Sequence, residues 1–386
     1  MAIAEPNKDN QTIQMQRTIQ MQRKNDSGVY ENYYPNTVMS QIEGSIQMKA
    51  KVNITANVGD NIAISGDSTQ TVTIADSGTA TIYLPYGDYT FTNNSNNFTV
   101  KLIVDTIKTY EVVVKVKTLE EYSWAEISEI SQSGDAPNKF NIGDIKKIAL
   151  KGSMYGLALD MYCYVYILDF NHDRSSANGA KDGITFGTFK IVASNNIDVL
   201  LCYNPAYSVT STRPGFCISF TSSNYPDSWG DCDMRYTILG STNAKSSDAS
   251  STTATSPVSN TLMSCLPSDL RAVMKPMYIY TNYYKNSVSK IVGMLDYLPL
   301  LSDYEVLGKT SETKADDQTQ YAYYKNGNSV VKYQYNNLTR KQAWWTRTLI
   351  EDHSNNELFW FINSYDNDKG AGYTYTSWGV APMFKV

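Results

Sequence analysis

The chain has 386 residues, a net charge of −5, only 18% charged residues and 30 tyrosines. Such a length predicts two or three domains, each able to bury a core without a disulfide or metal staple. With no basic stripe to displace phosphate counterions and no apolar run near the roughly 18 residues of a membrane helix, neither nucleic-acid binding nor a membrane-spanning helix is expected.

The first stretch, residues 1–44, opens without the basic-then-apolar layout of a signal peptide. It carries a direct duplication, Thr12-Ile13-Gln14-Met15-Gln16-Arg17 followed by Thr18-Ile19-Gln20-Met21-Gln22-Arg23. Ile13, Met15, Ile19 and Met21 alternate with polar residues, which is a strand period and no helical stripe. Two such repeats cannot bury an apolar face alone, so the arm is either disordered or a strand completed by other chains. It is read as a docking and oligomerisation arm. Tyr34-Pro35-Asn36-Thr37 resembles a segment near the start of many phage tail-fibre and baseplate-associated proteins.

Residues 45–118 alternate cleanly. Val52, Ile54, Ala56 and Val58 interleave with Lys51, Asn53, Thr55 and Asn57 before a turn at Gly59-Asp60. Further strands are predicted at Asn61–Ile64, Thr71–Ile74, Thr79–Leu84, Tyr89–Thr92, Phe98–Val104 and Tyr110–Val116. Strands about ten residues apart, parted by Gly, Asp and Asn, predict a small antiparallel β-sandwich. The run Leu84-Pro85-Tyr86-Gly87-Asp88-Tyr89-Thr90-Phe91 resembles the hairpin of PEGA-type and carboxypeptidase-regulatory-like spacer domains, which implies a spacer.

Residues 119–386 form the large domain. Trp124, Ile127 and Ile130 mark a short amphipathic helix, and Met161–Phe170 a buried strand. Leu266 to Pro276 reads as a helix with an acid in its first turn and Pro at both ends. Leu298 to Val306 is a second buried stretch. Ser241 to Asn260, rich in Ser, Thr and Ala, is expected to be a flexible loop. Five cysteines, none in a Cys-x-x-Cys pair, are expected to be thiols in a protein made in a reducing cytoplasm.

Chemistry is sparse. Two histidines, His172 and His353, leave few general bases and no His-rich metal site. Asp169-Phe170-Asn171-His172-Asp173 has the spacing of a calcium loop but lacks its Gly and closing Glu, so it reads as a turn bonded to its own backbone. Gly308-Lys309-Thr310 cannot be a phosphate loop, because Asp303 stands where the first Gly is needed. Asp366 and Asp368 could serve glycoside hydrolysis but read as a solvated turn. No enzyme activity, cofactor or metal is expected.

Aromatic residues are the strongest remaining signal. Trp344, Trp345, Trp360 and Trp378 fall in the last 43 residues, beside a Tyr/Asn/Asp/Gly segment. The C-terminal run resembles that of C-type-lectin-like folds, a resemblance that implies core positions for Trp344, Trp345 and Trp378 and a closing strand from Trp378 to Phe384. The candidate ligand-binding residues are Asn363, Tyr365, Asp366, Asn367, Asp368, Tyr373 and Tyr375, whose rigid aromatics and adaptable amides resemble paratope chemistry.

Several segments, in order, resemble a family of unknown function found in phage tail proteins and in surface proteins of gut Firmicutes. They are Ser123-Trp124-Ala125-Glu126-Ile127, Phe140-Asn141-Ile142-Gly143-Asp144, Phe170-Asn171-His172-Asp173, Gly183-Ile184-Thr185-Phe186-Gly187, Leu266-Pro267-Ser268-Asp269-Leu270 and Leu300 to Val306. Trp344-Trp345-Thr346-Arg347 and Gly379-Val380-Ala381-Pro382-Met383-Phe384 also resemble the C-terminal signature of C-type-lectin-like folds. Ala381 stands where those folds often carry Arg, and the last cysteine, Cys265, lies far upstream, so the thiol chemistry of formylglycine-generating enzymes does not carry over. The fold class expected is therefore multidomain and β-rich, a small antiparallel sandwich followed by an α+β C-type-lectin-like domain. The resemblance implies a bacteriophage virion structural protein, on a tail fibre, baseplate or capsid surface. It would be a homo-oligomer, with a trimer as the default, joined to other virion proteins through residues 1–44 and presenting its lectin-like domain to a host-surface glycan or protein. The alternative is a bacterial cell-surface adhesin or carbohydrate-binding accessory module.

Overall fold

The computed structural model describes residues 21–24, 30–33, 49–155, 157–190, 198–202, 226–334, 337–351, 358–374, 376 and 378–386. Strands account for 44% and helices for 17%, and the chain divides into two compact units, Met1–Val116 and Lys117–Val386.

In the first unit, β1 (Met21–Lys24) and β2 (Tyr30–Tyr33) pair antiparallel, Met21 opposite Tyr33. The last three residues of the second copy of the duplicated hexapeptide, Met21 to Arg23, thus lie in a strand, in keeping with its period-2 pattern. The first copy lies outside the described residues. Seven further strands follow: β3 (Lys49–Thr55), β4 (Asn61–Gly66), β5 (Gln70–Thr73), β6 (Thr79–Pro85), β7 (Gly87–Asn93), β8 (Thr99–Val104) and β9 (Thr109–Val113). They form sheets ordered β6-β3-β9 and β5-β4-β7-β8. Alternate residues of each strand turn inward, so Val52, Ile54, Ile62, Ile64, Leu84 and Phe91 make one apolar core. The sandwich differs from the expected all-antiparallel arrangement in one pairing: β3 and β9 run parallel. Val113 thereby sits opposite Thr55 rather than ending a hairpin. A single buried polar pair interrupts the core, where Asn93 Nδ2 donates to Asp60 Oδ2 at 2.7 Å and to Val114 O at 3.1 Å. Gly66 is required where it stands, because a Cβ there would lie 2.0 Å from the Asp88 carbonyl oxygen.

The second unit opens with α1 (Trp124–Ser133), started by a capping box in which Ser123 Oγ accepts from Glu126 N and the Glu126 carboxylate accepts from Ser123 N. After α2 (Ala136–Lys139) come β10 (Ile145–Met154), β11 (Leu157–Phe170), β12 (Ile184–Lys190) and β13 (Asp198–Cys202). Three short helices, α3 (Thr252–Thr255), α4 (Leu262–Cys265) and α5 (Ser268–Val273), lead into the hairpin of β14 (Met277–Lys285) and β15 (Val288–Asp296). Then follow α6 (Asp303–Leu307), α7 (Ala322–Lys325), β16 (Lys332–Gln334), β17 (Asn337–Lys341), β18 (Trp344–Leu349), β19 (Leu358–Asn363), β20 (Asp368–Tyr373), β21 (Gly379–Val380) and β22 (Met383–Lys385).

The main sheet runs β10-β11-β12-β13-β21-β18-β19-β20, with β22 against β12 and β16–β17 joined through β13. The chain end therefore returns to the middle of the domain. Phe384 faces Phe186 across the β12–β22 ladder, and their rings stack at 5.3 Å with Trp124 edge-on to both. Ser131 Oγ in α1 donates to the Val386 carbonyl oxygen at 2.6 Å. Helix and closing strand are thus locked together over one core.

Two sequence expectations are corrected. Ser241 to Asn260 is a packed element, not a free loop: it contains α3 and buries Ala249 and Ala254. Ala249 N donates to Leu295 O, and Arg271 Nη1 donates to Ala254 O at 2.7 Å. The helix expected from Leu266 to Pro276 is the shorter α5, because Leu266 instead caps the C-terminus of α4. Cys163, Cys232 and Cys265 are buried thiols, and burial pushes the Cys163 thiol up to about 12.

Candidate functional site

The segment carrying the proposed ligand-binding residues is a hairpin rather than an open loop. β19 and β20 pair from Leu358–Tyr373 to Asn363–Asp368, joined by a turn that needs Asn367 at φ 61°. Side chains hold that turn. Asn363 Oδ1 accepts from Tyr365 N at 3.1 Å and Asn363 Nδ2 donates to Asp366 Oδ2 at 2.8 Å. Asp366 Oδ1 accepts from Asp368 N at 3.2 Å. Asn363 and Asp366 are therefore consumed in building the tip. Asn367 gives it its backbone. Tyr365 stands out at 66% exposure, its hydroxyl donating to Lys341 O at 3.0 Å, and Tyr373 at 45%. Asp368 pairs with Lys309 Nζ at 3.1 Å; the Lys369 N–H, first, and Lys309 hold its carboxyl below the usual range. Tyr375 lies outside the described residues, as does His353.

The tryptophans support this hairpin from beneath. Trp344 and Trp345 are fully buried on β18. Trp378 is half-buried, with its ring 3.7 Å from that of Phe361 and 4.5 Å from that of Trp345. A Cβ on Gly372 would overlap the Trp378 ring at 2.0 Å, so Gly372 lets the ring lie flat on β20. Trp360 donates from Nε1 to Glu312 Oε1 at 3.0 Å, and burial raises the Glu312 carboxyl.

Asp169 to Asp173 bonds its own backbone where Asp169 Oδ1 accepts from Phe170 N at 2.8 Å, but most of its bonds reach distant elements. Asp169 Oδ2 accepts from Ala322 N at 2.8 Å, and Asp173 accepts from Thr185 Oγ1 at 2.5 Å and from the Tyr321 hydroxyl at 2.9 Å. The segment ties β11 and β12 to α7 over more than a hundred residues of chain. The His172 ring stacks on Tyr321 at 3.9 Å, and its Nδ1 lies 3.1 Å from Asp173 Oδ1. Burial opposes the charged imidazolium, but the adjoining Asp173 carboxylate outweighs it and raises His172 overall; the same pairing, against burial, lowers Asp173. Among the described residues no group of three or more His, Cys, Asp or Glu is placed to hold a metal ion.

A second ion pair sits on the neighbouring elements. Arg347 of β18 grips Glu305 of α6 with two nitrogens, Nη1 at 2.7 Å, and donates to Leu300 O and Tyr280 O. Above it two clefts meet. One is lined by His172, Arg174, Lys181, Tyr280, Asp317 and Gln318; the other lies between β14 and residues 302–318, with Tyr280, Asn282, Asp303 and Gln318 among its walls. Lys369 Nζ, from the hairpin, donates to Asp303 Oδ2 at 2.7 Å and lies 4.1 Å from the Trp360 ring centre. The hairpin and the cleft are thus one continuous region.

Sequence reasoning singled out the hairpin segment as a loop and did not single out the cleft. Its signal was present in the alternation of β14, where Met277 and Ile279 are buried and Tyr278 and Tyr280 are half-exposed. The cleft's other walls, Arg174 and Lys181 on one side and residues 303–318 on the other, come from more than twenty residues away, beyond the reach of a local pattern. Gly308, considered earlier in a phosphate loop, is instead the left-handed C-cap of α6, at φ 69°.

Neither curated proteins nor solved structures offer a match to this chain. The matched family model starts after β13, so β10–β13 precede it although they share the sheet with β18–β22. Residues 226–386 constitute a domain of the family described as Domain of unknown function (DUF6273).

Proposed function

We propose that the chain is a bacteriophage virion structural protein whose C-terminal domain, lectin-like in its closing signature, binds a glycan or protein on the host surface. The observation that carries this reading is the β19–β20 hairpin. Exposed Tyr365 stands on a turn whose amide and carboxylate groups are already fixed by one another, and exposed Tyr373 at the far end of β20 opposite Leu358, with buried tryptophans behind them. Rigid aromatic faces on a pre-organised turn bind with little ordering cost, and they stack well on sugar rings. The β1–β2 pair, too small to be stable alone, supports an arm that docks to other virion proteins or to further copies, a trimer being the default. The apolar sandwich between supports a spacer role.

The experiment is binding of the purified chain to host cells and to extracted surface glycan, alongside immunogold labelling of intact particles. Tyr365→Ala with Tyr373→Ala should lower cell binding by at least about tenfold, the loss expected from one or two aromatic contacts. Wild-type binding that survives the double variant, or particles without label, would refute the reading. Label on the wall of uninfected bacteria would favour a cell-surface adhesin instead.

A further inference from the structure

Resting on that reading, we infer that the cleft between β14 and α6 is a sugar subsite, which receives one hydroxyl of a neutral monosaccharide while the ring lies across its mouth beside Tyr280. The argument comes from which atoms have partners. Asn282 Nδ2 donates to Thr313 O at 2.7 Å and to Glu351 Oε1 at 2.5 Å. Both partners are acceptors, so the amide orientation is settled and Oδ1 is the atom left over. Gln318 Nε2 donates to Ser302 Oγ at 2.9 Å and to Glu305 Oε1 at 3.3 Å, which leaves its Oε1 over in the same way. Asp303 is 1% exposed, and its Oδ2 accepts from Thr310 Oγ1 and Lys369 Nζ, each at 2.7 Å. Its Oδ1 accepts from no group among the described residues.

Three residues lining one cleft thus each keep an acceptor oxygen without a donor, and none of the three oxygens is among the sealed, unpartnered atoms of the domain. Each of the three stays open to solvent in the cleft, so an occupant that displaces that solvent must bring donors of its own. The positive charges on Asp303 are already supplied by Lys369, and the other two acceptors are neutral amides. Neutral hydroxyl donors suit that set better than a second cation. Size selects further: the cleft has about 250 Å³ of space including its open mouth, and its enclosed part is about one water molecule large. A hydroxyl enters; a whole ring does not. Because Lys369 also belongs to the hairpin, a glycan chain held at Tyr365 and Tyr373 could place one residue here.

The test is ligand-observed NMR titration of the full chain with D-glucose, D-galactose, D-mannose and N-acetyl-D-glucosamine. At least one should bind at millimolar concentration, and its mono-deoxy series should contain one member weakened about tenfold or more, the hydroxyl that enters the cleft. Thr313→Phe, an exposed position at the mouth, and Asp303→Asn should each weaken it by a similar factor. Tyr365→Ala with Tyr373→Ala should leave it unchanged while lowering cell binding. Thermal melts check that the variants fold, and Thr313→Ala, which removes the Thr313 Oγ1 bond to Glu351 without filling the mouth, should leave sugar binding unchanged. Monosaccharide binding unaffected by Thr313→Phe, or cell binding with no monosaccharide bound, overturns the subsite, which then holds water only, and leaves the hairpin reading standing. Loss of cell binding and sugar binding together in the tyrosine variant also overturns it, by placing all contacts on the hairpin. A wild-type chain that binds neither cells nor sugars overturns both.

Discussion

The two units solve burial differently. The sandwich fills its interior with Val, Ile, Leu, Tyr and Phe and admits one polar pair, Asp60 with Asn93. The Lys117–Val386 unit buries ions: Arg347 with Glu305, Arg235 with Asp296, and His172 with Asp173. Apolar burial is non-directional and tolerates sliding, whereas buried ions need particular partners at particular places. In the larger unit these partners fix where short elements meet. Arg347 holds α6 to β14 and β18, and Asp173 holds β12 to the segment before α7. A domain with long irregular connections and few long helices has more need of such pins than a sandwich of regular ladders.

The same contrast explains what the sequence reveals. Each sandwich strand buries alternate residues against the opposite sheet, so Val52-Asn53-Ile54-Thr55 announces its strand locally. What stayed hidden was the parallel β3–β9 pairing, which depends on where the chain crosses over rather than on any single strand. In the larger unit, α1 was legible from the spacing of Trp124, Ile127 and Ile130, whereas the burial of Trp344 and Trp345 on β18 was expected only from the lectin-like resemblance. Leu298 to Val306 reads as a buried stretch in sequence, which says nothing of what Asp303 and Glu305 within it would pair with. Only the fold shows their partners, by bringing Lys369 and Arg347 onto them from elsewhere. The tip of the β19–β20 hairpin was legible as a polar aromatic segment, but not as strands, since its Gly and Asp residues disguise the ladder.

The sharpest way to break the contrast is to strip one ion of its partner. Glu305→Ala leaves the Arg347 guanidinium buried and unpaired, which should cost about 3–5 kcal/mol. Only the transition of the larger unit should move in a calorimetric scan. Replacing both members, Glu305→Leu with Arg347→Met, should recover much of that loss; if the single and double variants melt alike, the pair is not the pin described.

A deletion in the apolar core is expected to be milder. Ile54→Val in the sandwich removes one methylene from a site with no polar partner and should cost about 0.5–1.5 kcal/mol. Removing Asp105 or Asn53 from the sandwich surface should cost less still. A shift of the larger unit's transition by Ile54→Val would show that the two units do not unfold separately.

pH separates the units by sign. His172 is raised, so its contribution is complete below the ordinary histidine pKa of about 6.5 and is lost as pH rises through its higher folded value. Asp173 is lowered, so its contribution is present above about 3.9 and is lost as pH falls through its lower folded value. The larger unit should therefore lose stability as pH rises above about 6.5 as well as in acid. The sandwich has no histidine, and Asp60 and Asp105 are both held low, by Asn93 and by Tyr110 respectively, so it should weaken only in acid. Melting each transition between pH 5 and 9 tests this. His172→Phe, which preserves a ring against Tyr321, should flatten the alkaline slope of the larger unit and leave the sandwich unchanged.

The smallest effect on stability is expected where the effect on binding is largest. Tyr365 and Tyr373 project from the hairpin, and the bonds that hold the turn run between Asn363, Asp366 and the backbone without them. Truncating either tyrosine should shift stability by no more than about 0.5 kcal/mol. Asn363→Ala should do the reverse: it removes two bonds from the turn, loosens the tip, and costs about 1 kcal/mol while leaving both rings in place. If binding depends on rings held rigidly, Asn363→Ala must weaken it as well, through ordering rather than contact. Equal binding by wild type and Asn363→Ala would mean that the tyrosines bind without pre-organisation, and the paratope-like reading of this turn would then lose its physical basis.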